Sequence, residues 1–482
     1  MLSQECLGFR GGVKRPVRSI SGVVVVAVMT RFHPCPHGRC LYCPKGSGST
    51  PQSYVDSSPV ALRAERLGYD PYLQVQSRLN AYSSMGHPPS KVELIVIGGT
   101  FPALPQEYQE WFVKRCFDAL NSYPNFNSRE AGSIEEAHLA NESAYSRCVG
   151  LTIETRPDRA SRGVADFLLK LGVTRVEVGV QTVFDEVLRR VKRGHTVKDV
   201  VEATRTLKDA GFKVVYHYMP GLPGVDLDRD VEGFKRLFED PDFRPDMLKI
   251  YPTLVIPGTE LYEMWVRGEY EEMDTSKALE FLVKVKPLIP EWVRVIRIQR
   301  AIPRGVVAAG VKVNNLRELV QLKLRELGLK CRCIRCREVG FAELKLGVKP
   351  SDLNLKLKVR SYEASGGLEY FISFEDEEMD LIAGYVRLRA PASPWRPELT
   401  EKRTAVVREL HVYGPEVPVG CGDELAWQHR GLGKRLMGEA ERIALEELDA
   451  ERVVVISGVG ARPYFYSLGY RRMGPYVAKE LR

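Results

Sequence analysis

Seven short apolar runs rich in β-branched residues recur along the first part of the chain, with amphipathic stretches between them. They span residues 22–29, 92–97, 148–153, 175–180, 213–218, 247–251 and 293–298. Strands that alternate with helices pair in parallel, because each helix returns the chain to the same end of the sheet. The pattern therefore predicts an α/β fold with a partial or complete (β/α) barrel, whose reactive groups gather at the carboxyl ends of the strands.

A loop with three cysteines directly follows the first predicted strand. Cys35, Cys40 and Cys43 lie within nine residues of one another. Three thiolates at this spacing can bind three irons of a cubane cluster and leave the fourth iron open to a small molecule. Zinc loops usually have four protein ligands, and disulfide frameworks belong to small secreted chains. We therefore predict a [4Fe-4S] cluster rather than either alternative.

The other strand ends carry residues that could hold a ligand. These are Gly98, Gly99, Glu154, Gln181, His217 and Lys249. Glycine lets the backbone approach a ligand closely, and the carboxylate and amide could hold a ribose and an amino acid. Each residue also has an ordinary explanation: a tight turn, a surface salt bridge, a core histidine or a solvated lysine. Together they predict a cofactor site, with His217 and Lys249 as candidate catalytic groups.

Length and composition indicate a soluble protein with two or three domains. The chain has 482 residues, of which 44% are hydrophobic and 27% charged, and this length exceeds what one core usually serves. The valine run 23–28 is far too short to span a membrane, and most cysteines fall in two tight groups. We expect a reduced, cytoplasmic protein. The net charge of +8 is compatible with a polyanionic partner, although it more often reflects solubility.

The composition changes near residue 300, where a charged stretch predicts a helix over 315–329. Cys331, Cys333 and Cys336 follow within six residues. In a reducing compartment this spacing indicates zinc, although three free thiols are the alternative. Such a metal would stabilise the junction between domains rather than perform chemistry. The candidates for a fourth ligand are His33, His37, Cys6, Cys116 and Cys148.

The last part of the chain has its own pattern, with strands predicted at 370–375, 381–389, 405–413 and 452–456 and a helix at 432–448. Gln428, Gly431 and Gly433 precede or open this helix. Glycines expose consecutive N–H groups, which together with the helix dipole can hold a pyrophosphate. A glycine-rich helix start without a ligand is the alternative.

This last part resembles the GCN5-related N-acetyltransferase (GNAT) fold, which binds acetyl-coenzyme A. The resemblance implies that the strand around Leu410 and Val412 offers backbone groups to the thioester carbonyl. It also implies that Tyr464 lies near the sulfur as a proton donor to the leaving thiolate. Many members have a second tyrosine where this chain has Phe465, so we expect no role for a second hydroxyl.

The cysteine loop and the strand-end residues resemble those of radical S-adenosylmethionine (SAM) enzymes, whose cluster cleaves SAM to a 5′-deoxyadenosyl radical. More narrowly, segments 21–29, 42–44, 51–54, 154–158 and 251–258 are similar to the catalytic subunit of Elongator, and the likeness extends from about residue 13 to the C-terminus. Eukaryotic members have a wider first cysteine gap, glycine pairs where this chain has Lys45 and Gly46, and a longer basic N-terminal extension. Some tRNA affinity is therefore expected to be missing.

We accordingly expect four regions along the chain. These are a basic segment at 1–20, a radical SAM barrel at 21–300, a linker with zinc-binding cysteines at 301–345, and a GNAT-like region that binds acetyl-CoA at 346–482. Within the barrel region, the segment 121–147 is rich in serine, asparagine and glutamate. An interface and a mobile insertion both fit this composition, and a mobile insertion is predicted.

The family modifies wobble uridines in tRNA. The resemblance implies that a hydrogen is removed from the acetyl methyl group, that the carbon radical adds to uridine C5, and that thioester hydrolysis leaves 5-carboxymethyluridine. The wobble base already lies in a single-stranded loop, and lysine and arginine side chains would bind the tRNA backbone. A protein lysine acetyltransferase with a structural cluster and a tRNA-binding scaffold are the alternatives. A homodimer and a single-chain enzyme both fit the sequence.

Overall fold

A computed structural model describes residues 13–44, 48, 50–127, 129–415, 427–428 and 431–482. The predicted basic segment is thus described only from residue 13, and Lys45 and Gly46 lie outside the described residues. The first sheet has seven parallel strands in chain order: β1 (Val24–Met29), β2 (Lys91–Ile97), β3 (Arg147–Thr155), β4 (Arg175–Gln181), β5 (Lys213–Tyr218), β6 (Met247–Ile250) and β7 (Arg294–Arg297). β1 and β7 are the edges of this described sheet, so the predicted barrel is a partial one.

Helices alternate with these strands, and most of them pack on the outer face of the sheet. They are α1 (Pro59–Arg66), α2 (Pro71–Ser83), α3 (Gln106–Ser122), α4 (Ile134–Asn141), α5 (Arg162–Lys170), α6 (Asp185–Arg190), α7 (Val197–Asp209), α8 (Leu227–Glu239), α9 (Glu260–Val266) and α10 (Thr275–Val285). Alternation along β1 shows why the strand forms: Val24 and Val26 are fully buried among the helices, whereas Val25 lines an interior cavity.

The prediction of a mobile insertion over 121–147 is wrong for its second half, where α4 lies. Ser133 caps this helix by accepting a hydrogen bond from the Glu136 N–H at 3.1 Å. Ile134 is fully buried, and the Asn141 side chain accepts a hydrogen bond from the Cys148 N–H at 2.7 Å. The polar composition reflects capping and side-chain bonds to the start of β3.

The second sheet is mixed, with strand order β13-β14-β12-β11-β10-β9-β8. Its strands are β8 (Lys356–Ala364), β9 (Gly367–Asp376), β10 (Leu381–Ala390), β11 (Thr404–Val412), β12 (Arg452–Val455), β13 (Arg471–Met473) and β14 (Tyr476–Glu480). The remaining helices are α11 (Leu316–Glu326), α12 (Ile334–Arg337), α13 (Val339–Leu346), α14 (Pro397–Thr400), α15 (Leu432–Glu446) and α16 (Arg462–Tyr466). β11 and β12 pair in parallel, whereas the other neighbours are antiparallel.

The second sheet packs against the amino-terminal ends of the barrel strands. His411 Nε2 of β11 lies 2.9 Å from the Ser21 carbonyl oxygen just before β1, and Arg387 of β10 donates to the Trp292 carbonyl before β7 at 2.6 Å. This interface also buries a network of ion pairs, formed by Lys208, Asp209, Asp246, Glu369, Arg387, Arg389, Arg408 and Glu409. None of the described helices is long and apolar enough to cross a bilayer.

Candidate active site

The predicted cluster loop lies at the carboxyl end of β1 in a positively charged environment. Cys40 and Cys43 are buried, and Arg193 donates a hydrogen bond to Cys40 Sγ at 3.6 Å. Burial opposes the charge of Arg193, but the neighbouring Tyr42 and Cys40 raise its pKa. Burial, followed by repulsion from nearby arginines, lowers the pKa of His37 to about 4. Burial raises the pKa of the Cys35 thiol, and Arg193 and Arg156 act in the opposite direction. These fixed cations favour an anionic group bound to the loop.

The three loop sulfurs are not all close enough together to bind one ion. Ligands of one tetrahedral zinc ion lie about 4 Å apart, because each Zn–S bond is about 2.3 Å long. Cys331, Cys333 and Cys336 meet this condition, since their sulfurs lie within 4.8 Å of one another. The sulfurs of the first loop, whose cysteines are all described, do not form such a group. A cubane needs the wider arrangement, because each thiolate binds a different iron.

Glu154 lies at the carboxyl end of β3 and is held from two sides. The Tyr54 hydroxyl donates to its carboxylate at 2.6 Å, and the Gly98 and Gly99 N–H groups lie 3.5 and 3.4 Å from Oε2. Gly99 has a φ of 87°, a left-handed conformation that favours glycine. Tyr54 and the two glycines therefore position this carboxylate on the rim that also carries the cysteine loop.

Glu177, His217 and Lys249 form a buried charged group on β4, β5 and β6. His217 Nε2 lies 2.9 Å from Glu177 Oε2, and Lys249 forms an ion pair with the same oxygen. Burial would raise the pKa of Glu177, but Lys249 and His217 hold it well below the usual range. Lys249 is only 8% exposed, so the interpretation as a solvated lysine is wrong: the residue faces the barrel interior, where Glu177 neutralises it.

Two acceptors in this region have no protein partner among the described residues. Gln181 Oε1 and Glu177 Oε1 are buried without a hydrogen-bond donor, and both residues line the interior cavity. Buried acceptors without donors are costly. They are therefore suited to receive hydroxyl or ammonium donors of a ligand, which is what SAM offers through its ribose and its amino acid.

One cavity joins the barrel site to the second sheet. It has a volume of about 1200 Å³ and is lined by the three loop cysteines as well as by Leu410 and Val412 of β11. Glu154, Gln181, His217 and Lys249 line it too. The structure thus brings the predicted cofactor residues of the barrel and the predicted thioester strand to a common space.

The second sheet opens next to this cavity. β11 pairs with β12 only over Thr404–Val407, so its end around Leu410 and Val412 diverges from β12. Gly431, with a φ of 77°, is the N-cap of α15. A Cβ at Gly433 would lie 2.7 Å from the Tyr464 hydroxyl and 3.9 Å from the Leu410 side chain. Diverging strand, helix start and tyrosine are therefore adjacent, as the sequence predicts.

Tyr464 and Gln428 are both predicted to bind acetyl-CoA, but their surroundings differ. Burial raises the pKa of Tyr464 to about 12, so its hydroxyl keeps its proton at neutral pH. Gln428 Oε1 accepts a hydrogen bond from Lys91 at 2.7 Å, and its Nε2 donates to the Val412 carbonyl at 3.3 Å. Gln428 therefore connects β11 to β2 and is not directed at the start of α15. Phe465 is buried and serves in packing.

The second cysteine triad lies beside a buried cation. Lys286 is 1% exposed, and its Nζ lies 3.9 Å from Cys336 Sγ. No fourth ligand of the histidine, cysteine or carboxylate type joins the triad within the described part of the chain. Cys116 and Cys148 lie in the barrel core and His37 lies beside Cys40, whereas Cys6 is outside the described residues.

Arg193 and Tyr54 are site residues that the strand-end argument did not find. Arg193 follows α6 and contacts Cys40, which is 153 positions away in the sequence. No local sequence pattern therefore predicts this contact. Tyr54 falls in a segment, 51–54, that carries the family resemblance, and that was the available signal.

Comparison with known proteins agrees with this geometry. Residues 30–237 match the Radical SAM superfamily and residues 245–326 match the Radical_SAM C-terminal domain. The tRNA uridine(34) acetyltransferase of Methanocaldococcus jannaschii is 51% identical over 473 residues, which are 97% of this chain and 86% of that protein. Elongator complex protein 3 of Homo sapiens is 46% identical over 478 residues, again 97% of this chain and 86% of that protein.

A solved structure shows the same fold. That of archaeal Methanocaldococcus infernus Elp3 with an N-terminal deletion superimposes with a TM-score of 0.84 at 48% identity, covering 96% of this chain and 100% of that one. A radical SAM domain implies a [4Fe-4S] cluster and SAM, and the residues around Cys40 fit both. The resemblance noted from the sequence is thereby confirmed: the chain belongs to the radical SAM family that includes archaeal tRNA uridine(34) acetyltransferase and Elongator complex protein 3.

Proposed function

We propose that this protein modifies the wobble uridine of tRNA with the acetyl group of acetyl-CoA and leaves 5-carboxymethyluridine. The observation that carries the proposal is the shared cavity, which Cys40 lines at one end and Leu410 at the other. The archaeal relatives are tRNA uridine(34) acetyltransferases, and they suggest the substrate of this proposal. Because both ligand sites open into the same cavity, a single reaction that uses both ligands is favoured over two independent reactions.

Radical chemistry accounts for this bond because the polar route lacks a matching partner. Loss of a proton would make the acetyl methyl carbon a nucleophile, but uridine C5 is a poor electrophile. When bound, the cluster and SAM supply a carbon-centred radical that can remove such a hydrogen. Cys35, Cys40 and Cys43 would hold the cluster, and Arg193 would offset its negative charge.

The barrel residues hold and orient SAM in this proposal. Gln181 Oε1 and Glu177 Oε1 are the free acceptors, and Glu154 is kept in place by Tyr54. Lys249 keeps Glu177 ionised at neutral pH, so Glu177 Oε1 stays a strong acceptor for a hydroxyl or ammonium donor. His217 shares the same carboxylate and completes the group.

The GNAT-like end would bind acetyl-CoA. Gly431 and Gly433 open α15, where backbone N–H groups and the helix dipole favour a pyrophosphate. β12 does not pair with β11 around Leu410 and Val412, so backbone groups there, apart from the Val412 carbonyl that Gln428 contacts, can contact the thioester. Tyr464, which is protonated at neutral pH, can donate a proton to the leaving thiolate.

Basic side chains suited to a polyanion line the same cavity. They are Arg18, Arg63, Arg78, Arg297 and Arg300. Burial, together with repulsion from Arg78, lowers the pKa of Arg63 to about 10, so a phosphate placed there would relieve unfavourable charge. We expect this chain, as a monomer or a homodimer, to bind tRNA with an affinity that falls steeply as the salt concentration rises.

The second triad is proposed to bind zinc at the junction of the two sheets. Three thiolates on one divalent ion carry a net charge of minus one, which the buried Lys286 would balance. None of the three cysteines lines the described cavity, so the metal would stabilise the fold.

Nucleoside mass spectrometry tests the proposal. The reconstituted protein is incubated anaerobically with tRNA, reductant, SAM and acetyl-CoA, and each component is omitted in turn. A uridine heavier by a carboxymethyl group, formed only in the complete mixture, supports the proposal. Unmodified tRNA from protein with an intact cluster, together with acetyl-lysine on a protein substrate formed without SAM, would favour a protein acetyltransferase.

A further inference from the structure

The interior of the half-barrel is hollow and polar. Every second residue of the strands points inward, and the inward positions include Val25, Glu93, Gly150, Arg175, Lys213 and Met247, all of which line the cavity. Closed (β/α) barrels usually fill this space with branched apolar side chains. Here glycine and charged residues replace them, so the interior, called the lumen below, stays open.

The lumen connects the two ends of the molecule. The cluster loop and Glu154 lie at the carboxyl ends of the strands, whereas Leu410 and Val412 of the second sheet lie at the amino ends, and all of them line one cavity. Glu93 and Gly150 are paired neighbours on β2 and β3 near the amino ends. Gly150 therefore lies on the cavity wall between β11 and the cluster loop.

Charged groups surround this passage. Arg175 forms an ion pair with Glu93, and its Nε is buried without a hydrogen-bond acceptor among the described residues. Lys213, which is half-buried and interacts with the charge of Glu409, lines the cavity as well. Such walls offer donors and acceptors to a chain of amide and carbonyl groups, whereas a long hydrocarbon chain would leave them unsatisfied.

On the basis of the proposed function, we propose that the lumen binds the acyl-bearing arm of the thioester. The arm is a narrow, uncharged chain with amide groups that ends in the acylated sulfur. It would extend from Leu410 past Gly150 toward the cluster loop while the methyl hydrogen is removed, and thioester cleavage beside Tyr464 would follow once the arm has withdrawn. The bulky, multiply charged nucleotide stays at the start of α15. Arg175 Nε is the donor available to a carbonyl of the arm.

A cysteine placed in the lumen tests this directly. In Gly150→Cys, the new Cβ lies 3.6 Å from Thr174 Oγ1 and 3.7 Å from Glu93 Cγ, which is ordinary contact, and the backbone at Gly150 is not left-handed. The matched control is Gly163→Cys on α5, an exposed position with nothing within 4 Å of the added Cβ. Iodoacetamide labelling of each position is followed by peptide mass spectrometry.

The probes are acetyl-CoA and adenosine 3′,5′-bisphosphate, which lacks the arm. We expect acetyl-CoA at saturation to slow labelling at position 150 roughly ten-fold or more, because occupancy protects in proportion to ligand concentration over Kd. The bisphosphate leaves labelling at 150 unchanged, and neither probe affects position 163. No cluster or SAM is needed for this readout.

The outcomes separate the two proposals. If position 150 is labelled at the same rate with and without acetyl-CoA, while calorimetry shows that acetyl-CoA binds to the same protein, the lumen proposal is overturned. The proposed function is then unaffected. Absence of acetyl-CoA binding to the wild-type protein overturns both. If Gly150→Cys does not fold, Ile95→Cys on β2, a partly exposed lumen position, gives the same test.

Discussion

Arg408 of β11 and Asp246, the residue before β6, form a two-bond ion pair between the two sheets. The guanidinium donates at 2.8 Å to one carboxylate oxygen and at 2.5 Å to the other, and neither side chain is exposed. Burial would raise the pKa of Asp246, but Arg408 and Lys208 hold it far below the usual range. This pair fixes the second sheet on the amino end of the barrel, which aligns Leu410 with the lumen.

Removing one partner of this pair should destabilise the protein strongly. In Arg408→Met the buried negative charge of Asp246 loses its main positive partner. Breaking such a pair lowers the free energy of unfolding by about 3–5 kcal/mol. Urea denaturation measures the change. Arg403→Met is the control, because Arg403 is 61% exposed in its ion pair with Asp449 and such pairs contribute less than about 1 kcal/mol. Equal losses in the two variants would contradict the role assigned to the buried pair.

Lys249→Met should destabilise the protein at neutral pH, with a loss that shrinks in acid. In the wild type the pKa of Glu177 is below its unfolded value of about 4.3. Its contribution to the free energy of unfolding is therefore present above about pH 4.3 and is lost as pH falls toward the folded pKa. Without Lys249, burial raises the pKa of Glu177 in the folded protein above its unfolded value. The free-energy cost of burying this carboxyl therefore decreases as pH falls and the group takes up a proton.

The measurement is urea denaturation of both proteins at pH 7 and pH 5. We expect a difference of about 3–5 kcal/mol at pH 7 and a smaller one at pH 5. Lys198→Met on α7 is the control, since the Lys198 side chain is 83% exposed. A difference that stays constant or widens toward pH 5 would show that Lys249 does not hold the charge of Glu177.

Variants of the two cysteine triads should each lose one metal. Cys40→Ala is expected to lower bound iron roughly ten-fold or more while zinc and tRNA binding are kept, because the second triad is separate. Cys333→Ser is expected to lose zinc and thermal stability but to keep the cluster after reconstitution. Elemental analysis of both variants, with Cys148→Ala as a buried non-ligand control, checks this. Loss of both metals from either variant would refute two independent sites.

Tyr464→Phe should slow thioester cleavage without affecting SAM cleavage. Loss of a general acid typically costs about 10²-fold or more, and burial keeps this hydroxyl protonated. Tyr466→Phe in the same helix is the matched control, because the Tyr466 hydroxyl lies 3.4 Å from Glu142 and does not face α15. Tyr464→Phe with wild-type rates of coenzyme A release would exclude the acid role.

The sequence was sufficient to predict the barrel strands and the strand-end residues. All seven predicted strands lie within two residues of the observed β1–β7, because each is an apolar run with one face buried under helices. The parallel topology then places Glu154, Gln181 and Lys249 on one rim. These are local patterns combined with one topological rule.

What the sequence could not predict depends on distant contacts. β8 was missed because its outward residues are charged, as at an edge strand, with Lys356 and Lys358 paired to Glu377. The joint cavity depends on how β11 meets the amino ends of the barrel, which the buried Arg408–Asp246 pair decides across 162 positions. Neither feature has a local periodicity.

The most direct test of the central claim uses acetyl-CoA with a fully deuterated methyl group. If the methyl carbon is joined to uridine C5, one methyl hydrogen is removed, so the modified nucleoside from the complete anaerobic reaction carries two deuterium atoms in a carboxymethyl group. A nucleoside that retains all three deuterium atoms would mean intact acetyl transfer, and an unmodified uridine would mean that the two sites do not act together on tRNA; either result would contradict the account.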